Sequence, residues 1–192
     1  MRITARVIGH GLAVLALTLI SQLGGVAWCA ALLFRRKRLA FVSAFVLAYG
    51  LLWIAASRLA PFSGRVALPC GGDGPLRSQS LLYCALNRNF VTPDLAALAD
   101  DLAKDMARQF PGTVTLALDA GFPFTNLPLL PHLSHDDGGK LDLALYWQDR
   151  SGQYQQSRSK SLLGYWGYAD SQSDCAKRWA ELPIGPHPRR PP

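Results

Sequence analysis

Two of the four histidines lie in one polar stretch, Leu130-Pro131-His132-Leu133-Ser134-His135-Asp136-Asp137-Gly138-Gly139-Lys140-Leu141-Asp142-Leu143. His135 stands on a turn-rich loop, and Asp142 follows seven residues later at the start of an alternating segment. If 141–147 is a strand, Leu141, Leu143, Leu145 and Trp147 share one face and Asp142 projects from the other. An imidazole and a carboxylate brought side by side can hold Zn²⁺, with ligand bonds of about 2.0–2.2 Å. Alternatively the carboxylate orients the imidazole as a general base. Gly138 would let the loop turn back tightly enough for either. The same residues also read as plain turn chemistry, in which Asp-Asp-Gly-Gly makes the turn and the histidine caps it.

The spacing of His135, Gly138 and Asp142 resembles the His-x-x-Gly-x-x-x-Asp core of the zinc D-alanyl-D-alanine carboxypeptidase and murein endopeptidase superfamily. Leu133 stands where the carboxypeptidases usually carry a serine. Ser134 before His135, with His132 three residues upstream, is more similar to the endopeptidase branch, whereas Asp136-Asp137 makes the loop more acidic than that pattern. The resemblance spans roughly fifteen residues, or thirty with the flanking strand. It implies His135 and Asp142 as two of three zinc ligands, a zinc-activated water attacking an amide carbonyl, and murein peptide as substrate. It also implies a third ligand, a late histidine. His187 in Pro186-His187-Pro188 is the one histidine after His135, with Glu181 six positions before it, and neither falls in an expected strand. A truncated or inactive relative of the superfamily is therefore one expectation. A membrane-anchored binding or scaffold domain without catalysis is the alternative.

Other candidates have simpler readings. His10, between two glycines at the edge of an apolar segment, suits the lipid headgroup level rather than a proton path. Tyr165-Trp166-Gly167-Tyr168 could stack on sugar or pack in the core. Cys29 lies within an apolar segment and reads as a small apolar residue. In an oxidising compartment Cys70 and Cys84 are the expected pair, leaving Cys175 unpaired; three reduced thiols are the alternative. No CxxC or CxxH spacing is present, which argues against a zinc knuckle.

What positions these residues is set by charge and hydropathy. Eight basic and no acidic residues precede Cys70, whereas twelve basic and thirteen acidic residues follow from there. The net +7 thus belongs to the first third of the chain, where it flanks apolar segments. That pattern excludes the basic folded patch that nucleic-acid binding needs. Between Arg6 and Arg35 no residue is charged, and a second apolar run lies between Arg38 and Arg58. Each exceeds or approaches the roughly 20 residues that span a bilayer. Transmembrane helices are therefore expected at about 7–34 and 39–57, with Tyr49 and Trp53 at an interface. The Arg35-Arg36-Lys37-Arg38 loop should remain cytoplasmic, which puts both termini and the C-terminal domain outside a cell inner membrane, in the periplasm.

The expected organisation is two N-terminal transmembrane α-helices within a membrane anchor at 1–60, followed by a small α+β domain. A connector rich in turns covers 61–91, the α+β domain 92–182, and a Pro-rich tail 183–192. Thr92-Pro93-Asp94 is a helix start, and Leu95, Leu98, Leu102 and Met106 recur at helical spacing as a core-facing stripe, ended by Pro111-Gly112. Residues 113–118 alternate as a strand, a Pro-rich loop covers 121–131, and a turn at 149–152 leads into a returning strand.

Overall fold

The computed structural model describes residues 2–124, 126–127, 130, 134–161 and 163–164. His132, Glu181, His187, Cys175, the Tyr165–Tyr168 cluster and the Pro-rich tail lie outside the described residues. Two helices are long and apolar enough to cross a membrane by length and composition, within Thr4–Ser21 and Arg38–Ser63. A mixed helix and sheet region follows them.

The stretch expected as one helix from 7 to 34 is instead a helical hairpin. Helix α1 (Arg2–Ser21) ends at Gln22, which takes a positive φ of 60°, and α2 (Gly24–Ala31) folds back along it. A short 3₁₀ turn, Leu32–Phe34, completes the descent. The reversal is built from side-chain hydroxyls and missing side chains. Ser21 Oγ accepts from Gly24 N at 3.1 Å. A Cβ on Gly25 would collide with the Thr18 side chain and the Val14 carbonyl. Gly24, Gly25, Ala27 and Ala31 form the buried face of α2, the small-residue packing that lets helix backbones approach closely. Helix α3 (Arg38–Leu59) then runs up again, with Trp28 edge-on to Phe41 at 4.8 Å. Arg6 therefore shares an end with Arg35, Arg36 and Arg38, not the opposite end expected from a single long first span.

The outer region is built on two short strand pairs. β1 (Val66–Ala67) pairs antiparallel with β3 (Phe90–Val91), and β2 (Leu76–Ser78) pairs parallel with β4 (Thr115–Ala117). The stretch 141–147, expected as a strand with Leu145 on its apolar face, forms only a bridge between Leu143 and Ala117 and a few backbone bonds beside β4, with Ala144 buried and Leu145 exposed. Leu118 N donates to Asp142 O, Asp142 N to Asp119 O, and Ala144 N to Leu116 O. The turn at 149–152 is present, closed by Asp149 N to Gln153 O and a bridge between Gln148 and Tyr154. A disulfide joins Cys70 to Cys84, tying the connector to α4 (Leu81–Ala85).

Helix α5 (Pro93–Gln109) starts where the sequence places it, with Thr92 Oγ1 accepting from Leu95 N. Its buried stripe is different from the expected one. Ala99 and Ala103 are buried in the core with Leu68, Leu76, Val91, Ala117 and Ala120, whereas Leu98 and Leu102 are 65% and 42% exposed. Small residues let α5 sit close on the sheet, and that rotates the larger leucines outward.

The outer region is docked on the helices by polar contacts. Asn87 Nδ2 donates to the Ser21 carbonyl and to Tyr49 Oη. Tyr49 Oη donates to Ala85 O at 2.6 Å, and Trp53 Nε1 to Cys84 O at 2.8 Å. Phe124 N donates to Gln22 Oε1. Leu23, Ala56, Ala60 and Phe90 close a small apolar cluster at the same junction. Within the outer region Arg88 and Asp119 form a buried two-pronged ion pair, at 2.5 and 2.7 Å. Removing one member strands the other charge out of water. Asp119→Ala or Arg88→Ala should therefore cost about 3–5 kcal/mol, read as a large downshift of the unfolding midpoint in denaturant.

Candidate functional site

The structure brings His135 and Asp142 together. His135 is 5% exposed, and its Nδ1 lies 2.8 Å from the Ala120 carbonyl. A carbonyl oxygen can only accept, so Nδ1 carries a proton. The other ring nitrogen, Nε2, stands 3.3 Å from Asp142 Oδ1. A bare Nε2 lone pair facing a carboxylate at that distance would be repulsive. A proton on Nε2 turns that contact into a charge-assisted hydrogen bond.

The hydrogen bond to Asp142 leads the forces that hold the His135 ring above its ordinary pKa, and the Asp142 charge and the Ala120 carbonyl add to it. Burial works the other way and does not prevail.

Three backbone positions in a row organise this pair. Asp119 accepts Asp142 N through its carbonyl while its carboxylate holds Arg88. Ala120 N donates to the Arg88 carbonyl, and its own carbonyl takes the His135 proton. Gly121 O accepts from Phe90 N. Tyr83 lies near the same segment, and its phenol is pushed up to about 12, first by burial and then by the Asp119 charge. Its hydroxyl donates to the Leu163 carbonyl at 2.7 Å.

The loop carrying His135 is held by Arg65, a buried residue that nothing in its local sequence singles out. Arg65 Nη2 donates to the Asp136 carbonyl and to Asn126 Oδ1, each at 3.0 Å. Burial lowers its pKa while the Asp137 and Asp136 charges oppose that shift. Gly138 has φ 71°, and a Cβ there would run into the Arg65 guanidinium. The glycine therefore serves the turn and also makes room for an arginine. Asp137 caps the turn, accepting from Gly139 N at 2.8 Å and from Lys140 Nζ at 3.0 Å. The expected turn is present, but its cap is Asp137, while His135 turns away to meet Ala120 O and Asp142.

As a metal centre the pair supplies two donors of suitable kind. A separation of 3.3 Å is what two ligands on a tetrahedral ion with bonds near 2.0–2.1 Å require. The Ala120 carbonyl behind Nδ1 is the kind of outer partner that orients a ligating histidine. Among the described residues no third histidine, cysteine, aspartate or glutamate joins them. Asp142 keeps 29% of its side chain exposed, which leaves the site an opening on that side.

No protein-family model, no curated protein and no solved structure matches the chain. The arrangement must be read from its own geometry.

Two outcomes follow. A pKa raised on folding contributes stability that is fully present below the ordinary histidine value of about 6.5 and is lost as pH rises through the raised one. With chelator present, the unfolding free energy should therefore fall as pH climbs through that window, and Asp142→Asn should flatten the fall. Gly138→Ala should destabilise by about 1–3 kcal/mol, since it combines a left-handed backbone with a clash against Arg65; thermal denaturation reads this directly.

Proposed function

We propose that this chain is a bacterial-type inner-membrane protein whose periplasmic α+β domain holds a zinc ion between His135 and Asp142, for chemistry on murein peptide. The observation that carries the reading is the pair itself: a ring whose Nδ1 proton is committed to Ala120, and whose Nε2 meets a carboxylate at 3.3 Å. A proton or a metal ion at Nε2 would satisfy that arrangement, and the spacing of His135, Gly138 and Asp142 supplies the resemblance that names zinc and murein peptide.

The anchor supports the compartment. Helices α1 and α3 have the length and composition of bilayer spans. Their shared basic end, with Arg6 beside the Arg35–Arg38 loop, favours the cytoplasmic face. The N-terminus then lies inside, and the outer domain, docked at the other end of the hairpin, lies outside. A Cys70–Cys84 disulfide is consistent with an oxidising compartment there.

Bound zinc would supply Lewis-acid polarisation and an activated water at neutral pH. The protein's own residues do the positioning. Ala120 fixes the tautomer and tilt of His135, the backbone of Asp119 fixes where Asp142 starts, and Arg65 holds the loop between them.

A second reading, a membrane-anchored binding or scaffold domain, is favoured by one observation: the loop is already braced by protein contacts, with Asp137 capping its turn and Arg65 holding the Asp136 carbonyl. Metal analysis of the purified full-length protein separates the two. The zinc reading expects about one zinc per chain, lost in His135→Ala and in Asp142→Ala, with a lower melting temperature in chelator. Zinc at background, with melting unchanged by chelator, would leave the scaffold reading.

A further inference from the structure

The helical hairpin gathers arginines that the sequence keeps far apart. Arg6 from α1, Arg35 and Arg36 from the turn after α2, and Arg38 from the start of α3 all line one groove of about 1050 Å³. No carboxylate is available in these helices to neutralise them, since the first acidic residue of the chain is Asp73. The groove is not polar throughout. Trp28 and Phe41 form its inner wall, and Val7 and Val42 lie at its margins, 66% and 55% exposed on the outer faces of α1 and α3. The Trp28 indole N–H is buried and finds no acceptor among the described residues.

Such a site asks for a ligand with two parts. The charged part must be an anion with oxygens to match guanidinium forks, and phosphate does this in a two-pronged way. The apolar part must lie along helix faces that already turn outward. A soluble phosphate has the first part only, and a fatty chain the second only. We propose that this groove binds the phosphate headgroup of an anionic glycerophospholipid, its acyl chains lying along Val7 and Val42 toward the bilayer. The inference rests on the membrane reading of α1 and α3. Basic pockets between spanning helices on the cytoplasmic side are suited to such headgroups, and the hairpin is what builds one here, by delivering Arg6 to the loop.

Full-length protein in detergent, presented with equal amounts of phosphatidylglycerol and phosphatidylcholine, provides the test by native mass spectrometry. Retained phosphatidylglycerol should exceed phosphatidylcholine by about tenfold. The double variant Arg6→Lys with Arg36→Lys keeps every charge but removes two forks, and should lose most of that preference. Arg58→Gln, outside the groove, should leave it unchanged. Equal retention of the two lipids overturns the proposal while leaving the anchor intact. So does full preference in the lysine variant, or displacement of the lipid by millimolar inorganic phosphate. Extraction of the chain from bacterial membranes by alkaline carbonate overturns the membrane reading and this inference together.

Discussion

An arginine and an aspartate removed from water at the middle of the outer region set the terms for what surrounds them. Arg88 and Asp119 satisfy each other through two hydrogen bonds, and the Leu130 carbonyl takes a third from Arg88. Charges buried in this way are tolerable only when their remaining donors and acceptors are met. The chain meets them by making residues 87–89 and 119–121 a polar seam through an otherwise apolar interior. Asn87 reaches the helices, Asn89 reaches the Leu68 carbonyl, and Ala120 reaches His135. The candidate site and the docking of the anchor are thus two ends of one hydrogen-bonded network. An apolar residue in place of Asn87 would remove the side-chain bonds to the Ser21 carbonyl and to Tyr49 Oη, whereas the His135 proton would keep its partner, a main-chain carbonyl.

What was legible in the sequence follows from how local the governing physics is. The start of α5 was readable because Thr92, Pro93 and Asp94 each act on the first turn, and β4 was readable from its alternation. The disulfide was readable because Cys70 and Cys84 bracket one turn. The His135–Asp142 pairing was readable because seven residues containing a tight glycine can place a loop residue beside a strand residue. The parts that were not readable depend on partners remote in the chain. Arg65 and Arg88 look like ordinary surface cations until the loops that cover them are known. The exposed leucines of α5 follow from how closely alanines let the helix approach its sheet, which periodicity does not encode.

The N-terminal helices show the same limit at a larger scale. A run of apolar residues says that a segment avoids water, not that it is straight. Ser21, Gln22 and the Gly24-Gly25 pair carried the signal for a reversal, a polar patch followed by two residues without side chains. It was masked by the unbroken hydropathy on either side. Charge counting then placed Arg6 opposite the arginine loop, whereas the hairpin puts them together.

The hairpin tip also has a bearing on the order in which the molecule is assembled. Gln22 Oε1 waits for Phe124 N, 102 residues later, and the Ser21 carbonyl waits for Asn87, 66 residues later. Contacts so distant in sequence form late and raise the entropic cost of closing the chain. Both partners lie far downstream of the tip, so the fit between helices and sheet region is set by pairs of residues that no local stretch contains. The hairpin tip is in this sense part of the sheet region's own polar bonding, and not merely a segment joined to it.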